Sequence, residues 1–303
     1  MASPGEVLDW RMVVLVDAVA GCGALDALPG TADELAGRLS LDPHGLRVAL
    51  DALVAWGVVA RDGDRYDRGA EVPASEVVPG LRHHARAIRA WSASLDARLR
   101  GTPPDPREGM ADPELFIDAL GRQARATAPA LVDACLARFP DARTVLDLGG
   151  GHGEYSLEFA RRGLKTTMQD LPVMVDVVAR RGRLAGAGVE LVAGSFFESV
   201  PEGPFDLAFC TGITHTFDGE HNRALYRRLR PVVSASGGIA VTTFFRHRDP
   251  LADVFAVQML VNANGGDSHA EEDYRAWLAE AGFTPDETLV GAPGRPQATL
   301  FAA

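Results

Sequence analysis

The stretch Thr144-Val145-Leu146-Asp147-Leu148-Gly149-Gly150-Gly151-His152-Gly153 decides how the rest of this 303-residue chain is read. Its first five residues are β-branched and apolar around a single acid, the pattern of a buried parallel strand. The glycines that follow let the backbone turn tightly and come close to a ligand, because they carry no Cβ. From Glu154 the periodicity becomes helical through Tyr155, Leu157, Phe159 and Ala160, with Gly163 as a C-terminal stop. Strand, glycine turn and helix start together place free N–H groups where a nucleotide binds.

The spacing selects among nucleotides. A dinucleotide loop reads G-x-G-x-x-G and cradles a pyrophosphate. Here Asp147, Gly149, Gly151 and Gly153 read D-x-G-x-G-x-G, with an acid where a pyrophosphate would be repelled and an ammonium or sulfonium welcomed. The next strand, Lys165–Gln169, ends at Asp170, positioned to accept from two ribose hydroxyls. These residues predict an S-adenosylmethionine (SAM) site.

Outward from this centre, strands at Val189–Ala193, Asp206–Cys210 and Ile239–Phe244 alternate with helices over 172–183, 219–230 and 270–281. Two last strands over 286–291 and 297–302 flank a turn at Gly291–Gly294. The rhythm predicts an α/β, doubly wound, Rossmann-like domain over 141–303 with ligand sites at the strands' carboxyl ends. Toward the N-terminus, Leu8–Leu25 reads as a helix, and Thr31 with Glu34 forms a capping box. A helix over His44–Trp56 follows Asp42-Pro43, and Asp62-Gly63 marks a hairpin. That order predicts a winged helix over 1–80. Residues 81–140 read as helices broken at Gly101–Pro106, with Pro129 interrupting the second; they form a connector that roofs a substrate pocket.

Apolar residues make up 47% and charged residues 23% of the chain, as in ordinary globular enzymes, and the net charge is −11. Such a charge repels nucleic-acid phosphates. Residues 1–80 hold six arginines and no lysine against thirteen acids, so the winged helix is expected to pair with a second copy of itself and not with DNA. Cys22, Cys135 and Cys210 show no C-x-x-C spacing and suggest neither disulfides nor a cysteine-based metal site. No basic leader and no run of 18 apolar residues is present, which sets the expectation of a cytoplasmic protein with no membrane contact.

With Asp147–Gly153, Gln169-Asp170-Leu171-Pro172, Gly194-Ser195-Phe196-Phe197 and Ala279-Glu280-Ala281-Gly282-Phe283 in hand, residues 8–303 resemble a known family. It is the SAM-dependent methyltransferases of the caffeate and actinomycete antibiotic O-methyltransferase type. The resemblance implies a winged-helix dimerisation domain, a Rossmann-like catalytic domain, a homodimer and a small-molecule substrate. It also implies that Asp170 holds the ribose, that Ser195 and Phe196 flank the adenine, and that the glycine loop faces the methionine portion. Asp147, Gly149, Gly151, Gly153, Asp170, Leu171, Ser195, Phe196 and Cys210 form the expected cofactor set.

The family's general base, a histidine after the fourth strand, corresponds to His215. Its two supporting acids are absent: Thr243 stands at the first position, and Gly265–Ala270 carries His269 near the second. Two imidazoles without acids suggest iron or zinc ligands. That pattern is similar to a branch that methylates the β-carbon of 2-oxo acids through a metal held by two histidines. A Lewis acid on the keto oxygen makes the neighbouring carbon reactive. The expectation favoured here is therefore metal-assisted carbon methylation of a 2-oxo acid with His215 and His269 as ligands. Arg98, Arg100 or Arg122 would take the carboxylate, and Phe116, Leu120 and Phe217 would wall the pocket. The alternatives are O-methylation of a phenolic or hydroxyl natural product with His215 as base, a SAM-binding protein that transfers no methyl, and a SAM-sensing regulator. His152, inside the glycine loop, is expected beside the cofactor.

Overall fold

Capping chemistry at Thr31 starts a helix as the sequence implies. Its hydroxyl accepts from the Glu34 N–H at 3.2 Å, and the Glu34 carboxylate accepts from the Thr31 N–H at 3.0 Å. Two free donors at the helix start are thus satisfied together. The computed structural model describes residues 10–69, 74–104, 112–290 and 296–303, and the chain divides into units Met1–Ser92 and Ala93–Ala303. The first contains α1 (Trp10–Gly21), β1 (Gly30–Thr31), α2 (Ala32–Leu39), α3 (Pro43–Ala55), β2 (Val59–Asp62), β3 (Arg65–Arg68) and most of α4 (Ala74–Leu99).

In this unit Asp42 accepts from the Gly45 N–H at 2.6 Å and Pro43 opens α3. The Asp62-Gly63 hairpin pairs Val59 with Arg68. Strand β1 carried no sequence signal, since two residues are too few for alternation to register. It pairs antiparallel with β3, giving the order β1-β3-β2. Val16, Leu35, Leu50, Leu53 and Tyr66 are fully buried against one another. The Tyr66 hydroxyl meets its hydrogen-bonding need by donating to Asp51 at 2.8 Å.

The second unit continues with α5 (Pro113–Arg138), β4 (Thr144–Leu148), α6 (Glu154–Arg161), β5 (Lys165–Asp170), α7 (Pro172–Arg180), α8 (Arg183–Gly186) and β6 (Glu190–Ala193). After these come β7 (Phe205–Thr211), α9 (Gly219–Leu229), β8 (Val233–Phe244), α10 (Pro250–Asn262), α11 (Glu271–Glu280), β9 (Pro285–Val290) and β10 (Gln297–Ala302). Seven strands form one sheet in the order β6-β5-β4-β7-β8-β10-β9. The first five are parallel, and β10 runs antiparallel to both neighbours. This is the Rossmann-like arrangement that the alternation predicts. Strand order reverses at β4, which lies between β5 and β7, so a crevice opens at the carboxyl end of the glycine-bearing strand.

Tyr226, Leu229, Tyr274 and Trp277 on α9 and α11 cover one face of the sheet, packing with Leu146 and Cys210. Val132, Phe159 and Phe209 lie in the core on the other face, beneath α5 and α6.

Three local expectations are corrected. Pro129 does not interrupt α5, which runs from Pro113 to Arg138; Ala124, Ala128 and Val132 are buried around it, and that packing holds the helix across one lost hydrogen bond. Strand β8 begins at Val233 instead of Ile239, because Ser234–Gly238 lacks an apolar pattern. Helix α10 was not anticipated at all. Its residues are apolar around most of the circumference, so no 3.6-residue stripe appears. The helix start expected at Leu8, the Asp105-Pro106 part of the break and the Gly291–Gly294 turn lie outside the described residues. Among those described, no helix is long and apolar enough to cross a membrane.

Candidate active site

The glycine loop is held from both ends. The Gly149 N–H donates to the Gln169 carbonyl at 2.8 Å, which ties the turn to β5. Gly149 has φ 67°, and a Cβ on it would lie 2.4 Å from Ile213 Cγ2, so no side chain fits there. Gly153 has φ 72°, and a Cβ on it would lie 2.7 Å from Leu184 Cδ1. Behind the loop, Glu154 is buried at the start of α6 and bridged by Arg125 at 3.0 Å and Arg183 at 2.7 Å. A carboxylate at a helix N-terminus also favours the helix dipole.

Two acids lie inside this frame. Asp147 is 1% exposed and accepts from the Ser156 hydroxyl at 2.5 Å. Asp170 is 9% exposed and accepts from the Gly151 and Leu171 N–H groups, each at 2.7 Å. Burial pushes the Asp147 carboxyl up to about 7, with the Ser156 hydrogen bond opposing and Asp170 adding to the rise. Burial likewise raises Asp170, against the pull of its two backbone donors. Among the described residues, no lysine or arginine pairs with either acid.

Both acids line a cavity of about 370 Å³ within the second unit, a volume in the range of small-molecule sites. The polar end is formed by Gly149–His152, Asp147, Asp170 and Ser195. The apolar lining includes Phe116, Leu120, Phe196, Phe197, Ile213 and Phe217. The Phe197 and Phe217 rings meet edge to face with centroids 4.8 Å apart. Among the described residues, no lysine or arginine lines the cavity. Two buried acids without a cation among the described residues, beside a loop with no room for a Cβ at Gly149 or Gly150, fit the sulfonium, ammonium and ribose groups of SAM.

His152 lines the cavity as expected. Its Nδ1 accepts from the Glu154 N–H at 3.1 Å, and burial pushes its pKa down to about 4, so Nε2 carries the proton.

The second pair of expected residues lies after β7 and before α11. His215 is 6% exposed, with Nδ1 3.2 Å from Thr243 Oγ1. The rings of Phe255 and Phe244 pack against it at 4.7 and 5.9 Å, and these two stack on each other at 3.8 Å. Burial, and secondarily the nearby His269, push the His215 pKa down to about 3. His269 donates from Nε2 to the Phe217 carbonyl at 2.7 Å and packs its ring against Trp277.

This geometry corrects the metal expectation. His215 and His269 are neighbours, yet His269 uses Nε2 on a carbonyl and His215 turns Nδ1 to a hydroxyl. Asp267, which lies between them in the loop, gives its carboxylate to Arg246. Among the described residues, no group of three or more His, Cys, Asp or Glu gathers to hold an ion. The donor set does not fit an iron or zinc centre.

Of the expected cofactor residues, Asp147, Gly149, Gly151, Asp170, Leu171, Ser195 and Phe196 line the cavity. Gly153 instead starts α6, and Cys210 faces the sheet core, where burial raises its thiol pKa. Phe116, Leu120 and Phe217 line the cavity; Arg98, Arg100 and Arg122 do not. Arg98 donates to the Thr102 carbonyl at 3.1 Å, and Arg100 pairs with Asp96 on its own helix at 3.0 Å. Ser156, Gln123, Thr127 and Phe255 escaped the sequence reading. Ser156 lies in no motif, and Phe255 sits on the unforeseen α10.

Residues 112–284 match the family profile described as the O-methyltransferase domain. A 3-amino-4-hydroxybenzoate 4-O-methyltransferase from Streptomyces cremeus is 30% identical over 303 residues, covering 90% of this chain and 79% of that protein. A flavonoid 4'-O-methyltransferase from Mentha piperita is 34% identical over 184 residues, which are 56% of this chain and 50% of its own length. The solved mitomycin 7-O-methyltransferase MmcR superposes with a TM-score of 0.78 at 22% identity, covering 96% of this chain and 94% of that one; this likeness bears on the fold. The chain belongs to the O-methyltransferase domain family, whose members are SAM-dependent methyltransferases. Carbon methylation of a 2-oxo acid, the reading favoured from the histidine pattern, is overturned: these relatives are named for transfer to oxygen. Among the described residues, the cavity also offers no arginine to a 2-oxo acid's carboxylate.

Proposed function

We propose that this chain is a cytoplasmic enzyme of small-molecule metabolism that transfers the methyl group of SAM to a phenolic hydroxyl. One observation carries the reading: Asp147 and Asp170 share a cavity with Phe116, Phe196, Phe197 and Phe217, no lysine or arginine lines it among the described residues, and His215, itself not in the lining, directly precedes the lining residues Thr216 and Phe217. SAM supplies an electrophilic methyl on a sulfonium. Asp170 holds the ribose hydroxyls, Ser195 and Phe196 flank the adenine, and Asp147 with Gly149 and Gly151 faces the methionine portion. Phe116, Leu120 and Phe217 sandwich a planar acceptor, while His215 meets its hydroxyl. The names of the relatives support an aromatic acceptor: one is named for a hydroxybenzoate and another for a flavonoid. The first unit, with its acidic winged helix, forms the homodimer; sedimentation velocity tests this, and a monomer at micromolar concentration overturns it.

The activity is tested with methyl-labelled SAM and a panel of hydroxyaromatic compounds. Release of S-adenosylhomocysteine with label in a methyl ether is the expected result. Label on carbon, or SAM binding without transfer to any phenol, would sink the proposal.

A further inference from the structure

Resting on the phenolic reading above, we infer that the enzyme takes acceptors whose hydroxyl is acidic in its own right. These are phenols with electron-withdrawing ring substituents, which arrive as phenolates. The inference comes from what surrounds His215. Its Nδ1 meets a buried hydroxyl, Thr243 Oγ1, at 3.2 Å. The acid nearest in the following loop, Asp267, bonds the His215 carbonyl through its backbone N–H at 2.9 Å but gives its carboxylate to Arg246. His269 approaches as a second imidazole with its Nε2–H committed to the Phe217 carbonyl. Besides the Thr243 hydroxyl, β8 brings the Phe244 ring and α10 the Phe255 ring, both apolar.

A proton taken by His215 would leave a buried imidazolium with no negative partner and another imidazole alongside. An uncompensated buried charge is strongly disfavoured. A carboxylate at position 243 could only accept a hydrogen bond, fixing Nδ1–H and leaving Nε2 as a base. A threonine hydroxyl either accepts or donates. When Thr243 donates to Nδ1, Nε2 carries the proton and donates to an acceptor oxygen that is already negative. Thr243 thus acts as a positioning residue that turns the histidine from a base into a hydrogen-bond donor. The acceptor's proton leaves to solvent before binding. The phenolate oxygen then forms a bond to the methyl carbon as the carbon–sulfur bond breaks, its electron pair returning to sulfur to give neutral S-adenosylhomocysteine.

The test uses the full chain with SAM and para-nitrophenol, para-cyanophenol, phenol and para-methylphenol, each followed over pH by methyl ether formation. The expected result is a kcat/KM at least tenfold higher for the ionised pair, with pH midpoints that move with each phenol's own pKa. Thr243→Asp should raise turnover of phenol and para-methylphenol at least tenfold, with calorimetric SAM binding reporting that it folds. If that variant does not fold, the pH midpoints of the native chain decide alone. Equal kcat/KM across the series, or one midpoint fixed by the enzyme for every phenol, overturns the inference and leaves the phenolic reading standing. No methylation of any phenol overturns both.

Discussion

Gly151 donates its N–H to Asp170 Oδ2 at 2.7 Å, so the loop after β4 and the end of β5 hold each other in place. A hydrogen bond to a charged group contributes about 1.5–3 kcal/mol. Asp170→Ala therefore loses loop order as well as a ribose acceptor. Calorimetry should show SAM affinity falling about tenfold to a hundredfold, with Asp170→Asn intermediate; unchanged affinity would mean the ribose binds elsewhere.

Asp147 should make SAM binding pH-dependent. Burial holds its carboxyl protonated up to about 7 in the ligand-free protein, and a neighbouring sulfonium or ammonium favours the carboxylate. Binding then releases a proton, and affinity falls by up to about tenfold per unit as pH drops below that value. Titrations in buffers of different ionisation heat measure the released proton. The same shift acts on the ligand-free fold in the opposite sense. A folded pKa above the ordinary 3.8 contributes stability at low pH that is lost as pH rises through about 7, a loss that thermal unfolding with and without SAM resolves.

Gly149→Ala combines a left-handed backbone with a contact 2.4 Å from Ile213. Strain of this kind costs about 1–3 kcal/mol. Denaturant unfolding should report a loss in that range, and SAM binding should disappear with it. A variant of native stability would show that Ile213 has room to move.

His215→Ala should lower kcat by about a hundredfold, the low end of what losing one hydrogen-bond donor to a reacting oxyanion costs, with SAM affinity unchanged. A smaller loss would place the acceptor hydroxyl away from this ring.

A strong chelator should leave methyl transfer unaffected, since the His269 Nε2 and the Asp267 carboxylate are already engaged by the protein. Chelator-sensitive activity, restored by iron or zinc, would put an ion between the two imidazoles after all.

That the glycine loop and the two acids share one cavity was legible in the sequence because their placement is local. The loop's glycines and the acid at the end of β5 lie within 24 residues, and alternation places both at the same edge of the sheet. The surroundings of the two histidines were not. The loss of two acids around His215 is visible in the sequence, and it suggested an ion. What replaced the acids is a hydroxyl from β8 and a loop whose acid turns to Arg246. Neither leaves a trace in spacing. Helix α10 was invisible for a different reason: Leu251, Phe255, Met259 and Leu260 leave no polar stripe to set a period. With it went Phe255, the ring that packs against His215 at 4.7 Å.

The reversal of strand order at β4 assigns the two halves of the reaction to separate parts of the polypeptide. On the reading proposed above, methyl-donor recognition belongs to the edge built by β4, β5 and β6, whereas selectivity for the incoming ring is written on α5 and the turn after β7, which bring Phe116, Leu120 and Phe217 to the same cavity. Retuning which aromatic compound is accepted can therefore be confined to residues such as Leu120 and Phe217. Evolution, or an engineer, can redraw that surface while leaving the methyl supply untouched.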